Sequence, residues 1–187
     1  MNKTIDKLDF ETAFKYPFNR AKGMLNIFWI FLPIFGWLAL GGYGVRIVQE
    51  FVKGNFLELP VLKFNNDFKL GFFMLVKAVP FIIAYAILST ILTLFSPVLV
   101  IVRLFIEIFI IPILFINFMK KETVESLFEF SLVNVVFSNF KDYVVVFLKS
   151  ILLAIIFFVM MIILVGIPAS VFTKNMFIAD FYRRNVK

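Results

Sequence analysis

Arg103 and Glu107 are the residues best placed to do chemistry in this chain. They are the only formal charges inside the long apolar run from Lys77 to Met119. An ionisable side chain in such a run is costly and faces a bundle interior or a polar cavity. At i, i+4 the two share one helix face and can pair, although Arg before Glu is the less favourable order. The chemistry open to them is an ion or proton relay, or a site for a charged headgroup, with Lys174 as a third member. The plainer alternative is a neutralised pair that fixes helix packing.

The other polar residues offer less. Ser89, Thr90, Thr93 and Ser96 would line a path, but small hydroxyls in lipid more often bond their own backbone or a neighbouring helix. The chain has no His and no Cys, which removes the commonest general base, thiolate nucleophiles, disulfides and thiolate metal sites. No glycine-flanked serine elbow is present. The stretch Gly41-Gly42-Tyr43-Gly44 lacks the Lys-Ser/Thr of a phosphate loop and the strand before it. An intramembrane aspartyl site needs two embedded carboxylates, whereas Asp142 and Asp180 sit near the surface ends of apolar blocks. The expectation is therefore no catalytic residue, no cofactor and no metal: not an enzyme.

The elements that would position Arg103 and Glu107 are membrane helices. Hydrophobic residues make up 62% of the 187, with 28 Phe, where a soluble domain is nearer half apolar. The run 77–119 is about twice the length of one span, and Ser96-Pro97 sits in its middle. Proline lacks an N–H and clashes with the preceding turn, so the run reads as two helices folded back on each other. Residues 23–45 carry no charge and are interrupted by Pro33 and Gly36. Ser150 to Thr173 is likewise free of charge, with Gly166-Ile167-Pro168 near its end. Gly41, Gly42 and Gly44 suit close helix contact.

Around these blocks lie surface segments. Residues 9–16 read as a short helix capped by Asp9 and stopped by Pro17. Phe10, Phe14 and Phe18 share one face, either down in the headgroup region or packed on the bundle. Residues 122–139 read as an amphipathic surface helix, with Val124, Leu127, Phe128, Leu132, Val135 and Val136 as its stripe and three glutamates in its first turns. The first 22 residues hold no apolar core long enough for a signal peptide, so insertion by the chain's own spans is expected.

Two topologies compete. Four full spans, near 24–45, 71–95, 97–118 and 143–167, divide the surface Lys and Arg nine against nine, which gives no orientation. Three hairpins place seventeen of the nineteen on one side and leave Arg103 and Lys174 within helices. Length argues the other way: helices 21–33 and 168–183 reach only roughly 20 and 24 Å, short of the ~30 Å hydrocarbon core. The expected fold is all-α: a polytopic membrane helical bundle of three hairpins (six helices, some short), with four full spans as the alternative. Within a single domain 1–187 the expected parts are an interfacial N-terminal helix in 1–20, hairpins at 21–53, 71–119 and 141–184, a surface loop at 54–70 and the amphipathic helix at 122–139.

The segments 10–18, 32–60 and 139–143 resemble a prokaryotic membrane family catalogued as domain of unknown function 4013. The residues that carry the likeness are FETAFKYPF, LPIFGWLALGGYGVRIVQEFVKGNFLELP and NFKDY, with a closing Gly-Ile-Pro, an apolar helix and Tyr-Arg. The resemblance implies paired helices around such breaks and no catalytic residue. The acidic stretch 122–129 and the Phe-rich composition are departures particular to this chain.

These readings favour a structural or interaction protein of the cell membrane, multi-pass, with both termini cytoplasmic. It would assemble with lipids, with other membrane proteins or with itself as a homo-oligomer. The alternative is a small oligomeric transporter or channel using the Arg103–Glu107 pair. The net charge of +7 is explained by lysine and arginine at a cytoplasmic face, so nucleic acid is not an expected partner.

Overall fold

The computed structural model describes residues 7–186; the first six residues of the N-terminal segment 1–20, and Lys187, lie outside them. The regular elements of the described residues are all helices, with no strand. In chain order the helices are α1 (Phe10–Asn19), α2 (Ala21–Met24, running into a 3-10 stretch Leu25–Phe31), α3 (Phe35–Lys53) and α4 (Phe64–Phe95). Next come α5 (Val100–Phe105) and α6 (Ile111–Lys121), joined by a π-helical turn Ile106–Ile110 into one rod. A 3-10 turn Glu125–Phe128 leads to α7 (Ser131–Ser138), α8 (Phe140–Val159), α9 (Gly166–Thr173) and α10 (Met176–Asn185).

Three rods are long and apolar enough to cross a membrane: Phe64–Phe95, Val100–Lys121 and Phe140–Ile163. Their apolar side chains point outwards, with Leu94 79%, Phe95 80% and Ile162 84% exposed. Apolar surface on this scale has no place in water, and this is a membrane protein. At 1.5 Å per residue, α4 is roughly 48 Å long and outreaches the ~30 Å hydrocarbon core. Its first turns carry Asp67 and Lys69.

The core is built around α10. Every residue from Met176 to Tyr182 is buried, and α10 packs on α3, α6 and α8. The aromatic residues fill it edge to face, as where Tyr143 meets Phe181 at 5.2 Å between ring centroids. The tightest helix contact is α3 on α4. A Cβ on Gly42 would stand 1.9 Å from the Asp67 carbonyl oxygen, and one on Gly71 1.9 Å from that of Leu38. Only glycine at both positions lets the two backbones touch.

The three apolar blocks each break close to the expected position. Ile34, beside Pro33, takes a positive φ of 64° between the 3-10 stretch and α3. Ser96 leaves the helix in extended conformation before Pro97. Leu164, with φ 62°, precedes α9. A single span over 24–45, required by the four-span alternative, therefore does not form. Proline denies that helix an N–H, and Gly36 instead lies against the carbonyl of Trp29.

Other expectations need correction. The N-terminal helix runs through Pro17 and ends two residues later, at Asn19. Asp9 does cap it, accepting from the Thr12 N–H at 2.8 Å. Its phenylalanines are not set down among headgroups as an interfacial helix would have them. Phe14 stacks on Phe157 and Phe10 on Phe177, so the helix is packed on the bundle. The surface loop is shorter than 54–70, because α4 begins at Phe64, and its Leu59 is fully buried.

The single helix expected at 122–139 is broken in two. Glu122 adopts a left-handed conformation that caps α6, and its N–H bonds to the Phe118 carbonyl. Glu129 lies between the 3-10 turn and α7, where Lys121 holds its carboxylate at 2.7 Å. Glu122 and Glu129 thus serve the end of α6, and Glu125 opens the 3-10 turn. Of the stripe, Leu127, Leu132 and Val136 are buried while Phe128 is exposed.

Candidate functional site

Arg103 and Glu107 stand on adjacent turns of the α5–α6 rod, and the Arg103 Nε donates to Glu107 Oε1 at 2.8 Å. The same oxygen accepts from the Tyr85 hydroxyl of α4 at 2.5 Å. A carboxylate with two donors, one of them a guanidinium, is neutralised where it stands. Tyr85 is a member that sequence spacing does not reveal, because only the folding-back of α4 on the α5–α6 rod brings it there.

Lys174 is brought near but not into this group. It stands at the break between α9 and α10, and among the described residues it makes no ion pair. Glu107 and Lys174 nonetheless line the same cavity, of about 650 Å³. Its wall is mostly apolar, with Pro112 and Phe115 of α6 and Ala154 of α8. Ser150 and Ser170 are among its few hydroxyls.

The rod that carries Glu107 is irregular for a local reason. Pro112 has no N–H, and the N–H of Ile111 turns to the Ile106 carbonyl in π geometry. The carbonyl of Ile108 thereby loses its α-helical donor, and the Tyr143 hydroxyl of α8 supplies one at 2.6 Å. Thr93 Oγ1 donates to the Ser89 carbonyl at 2.8 Å, within its own helix.

A second polar group gathers at one end of the bundle. Asp180, 2% exposed, accepts from the Leu8 N–H at 3.2 Å, from Arg183 at 2.6 Å and from Arg184 at 2.8 Å. Asp142 accepts from Lys7 and from Arg184, each at 2.7 Å. Both aspartates are held by guanidinium groups, an arrangement for fixing helices and not for sharing a proton. Close by, the Tyr182 hydroxyl donates to the Asn117 Oδ1 at 2.7 Å, and the Asn117 amide donates to the Ser126 carbonyl at 2.8 Å. Burial pushes the Tyr182 hydroxyl up to about 12, so it remains a donor. The hydrogen bond from Lys121 holds the Glu129 carboxyl below its ordinary range. On the other flank, Arg46 clasps the buried Asp67, which also accepts from the Lys63 N–H at 2.7 Å. Asp180 stands at i, i+3 and i, i+4 to Arg183 and Arg184, a spacing the sequence offers, whereas the contacts of Tyr182 with Asn117 and of Arg46 with Asp67 are not visible from local spacing.

Lys7, Asp142 and Arg184 therefore meet at one end of the bundle, and Lys120 lies over the Tyr182 ring at 4.9 Å. Among the described residues no group of three or more acidic side chains converges as a metal site would require.

Residues 25–166 match a family described as "Protein of unknown function (DUF4013)". No curated protein and no solved structure matches the chain.

Proposed function

The chain belongs to the DUF4013 family, and on that premise we propose that it is a non-enzymatic scaffold of the cell membrane that assembles with lipids or other membrane proteins. The observation that carries this reading is the closure of the Arg103–Glu107 pair, the charged pair within the apolar run between Lys77 and Met119. Glu107 spends its charge on Arg103 and Tyr85, and Lys174 does not join them. A relay needs a carboxylate free to exchange partners or protons; this one is engaged. The outward-facing apolar side chains of the three long rods supply the surface for lipid or partner.

One-sided insertion, with both termini and all long loops cytoplasmic, belongs to the same proposal. Its support is that Asp142 is bonded both to Lys7, near the start of the chain, and to Arg184, near its end. Four full spans would set Asp142 across the bilayer from both. The positive-inside rule then assigns the shared side to the cytoplasm.

The test is reconstitution of the full chain into sealed vesicles, with proton and ion flux measured for wild type and Glu107→Gln. The scaffold leaves both vesicles tight, and Glu107→Gln lowers the melting temperature. Flux carried by the wild type and changed by Glu107→Gln would put the transporter in its place.

A further inference from the structure

Resting on the scaffold reading, we propose that the cavity between α6, α8 and α9 is a binding site for an anionic phospholipid of the surrounding bilayer, with Lys174 as its headgroup contact. Three observations converge on it. The first is depth. Lys174 lies ten residues past Leu164, and Ala154 of the facing wall lies ten residues before it, so both stand roughly 15 Å from the turn. Ala154 belongs to the stretch from Ser150 to Thr173 that carries no charge, and Lys174 stands immediately after its end. The second is the missing partner. Among the described residues Lys174 has no carboxylate, although a cation at such depth calls for a counter-charge. The third is the shape and lining of the space. It extends along the α5–α6 rod from Glu107 to Met119, twelve residues or roughly 18 Å, as an apolar trough of about 650 Å³. A trough with one cation on its wall suits a chain with one anionic end better than a compact ligand.

Charge decides the class of lipid. Glu107, the acidic group on the wall, is already neutralised by Arg103 and Tyr85. The unbalanced charge facing the space is that of Lys174, with the Asn175 amide beside it as a further donor. A lipid phosphate supplies acceptor oxygens for both, while its acyl chain lies against Phe115 and Ala154. A zwitterionic lipid carries its own counter-charge and gains less from Lys174.

The experiment is native mass spectrometry of the full chain extracted from bilayers of equal phosphatidylglycerol and phosphatidylcholine with matched acyl chains. Wild type, Lys174→Gln, Lys174→Arg and Ala154→Phe are compared, and each variant's melting temperature is recorded in phosphatidylcholine as a folding check. The wild type should retain phosphatidylglycerol by about tenfold over phosphatidylcholine, the factor one charge-assisted contact supplies. Lys174→Gln should abolish that preference and Lys174→Arg keep it. Ala154→Phe should reduce retention of both lipids by filling the trough. Should Ala154→Phe fail to fold, the glutamine and arginine variants decide alone. An absent preference in the wild type, or one that survives Lys174→Gln because the ammonium reaches the membrane surface instead, would overturn the proposal. Displacement of the lipid by millimolar inorganic phosphate would equally overturn it, in favour of a free-phosphate site. Vesicle tightness is read separately: flux sinks the scaffold reading, whereas lost lipid preference in tight vesicles sinks only this site.

Discussion

The Tyr143 hydroxyl donates to the Ile108 carbonyl at 2.6 Å, and that carbonyl is the one Pro112 leaves without an α-helical donor. The contact ties α8 to the irregular turn of the α5–α6 rod, one residue from Glu107. It repairs in tertiary structure a defect made by the sequence of the rod itself.

Tyr143→Phe should therefore cost about 1–3 kcal/mol of stability, the range for a buried carbonyl left unsatisfied. Pro112→Ala restores an N–H to the rod, so in that background Tyr143→Phe should cost much less. Melting curves of the four proteins in detergent give the coupling directly. Equal costs in both backgrounds would show that Tyr143 does not serve the proline defect.

Gly42→Ala should destabilise by about 1–3 kcal/mol, because its Cβ would overlap the Asp67 carbonyl and force α3 and α4 apart. Gly41→Ala is the control, since a Cβ there meets nothing within 4 Å. Chemical denaturation of the pair checks the claim, and equal stabilities would refute the glycine crossing.

Much of this was legible in the sequence, and the remainder had physical reasons to be hidden. The breaks beside Pro33 and at Ser96-Pro97 are readable because proline acts on its own turn; the third falls at Leu164, just before Gly166, and Pro168 is carried inside α9. Arg103 and Glu107 are readable because i, i+4 residues share a helix face. Tyr85 was not, since its place at Glu107 depends on how α4 folds back. The Tyr182–Asn117 bond joins residues 65 apart, and no local period announces it. The acidic stretch misled for a different reason. Glutamates near a helix start and glutamates at a preceding helix's end look alike in sequence, and Lys121 decided between them.

Glu129 gives a pH dependence whose sign is fixed. Its carboxyl is held low by Lys121, so its contribution is fully present above the unfolded value of about 4.3. The contribution is lost as pH falls through the lower, folded value. The melting-temperature gap between wild type and Glu129→Gln should be constant near neutrality and close on acidification below about pH 4. A gap that widens in acid would contradict the pairing.

For the charged pair, Arg103→Gln with Glu107→Gln should be more stable than Glu107→Gln alone. The single change strands a guanidinium among apolar helices, and the double change removes it. Thermal melting of the three proteins is the check. Additive losses would mean that the two residues do not act as a unit.

The central claim is that both ends of the chain and its long loops share one side of the membrane. The chain has no native cysteine, so single cysteines in place of Glu11, Lys63, Glu125 and Lys141 are clean reporters. All four residues are exposed. A membrane-impermeant thiol reagent is applied to sealed vesicles of each orientation. One-sided insertion predicts that all four label from the cytoplasmic face only. Labelling of Lys63→Cys and Glu125→Cys from the face opposite Glu11→Cys would contradict it.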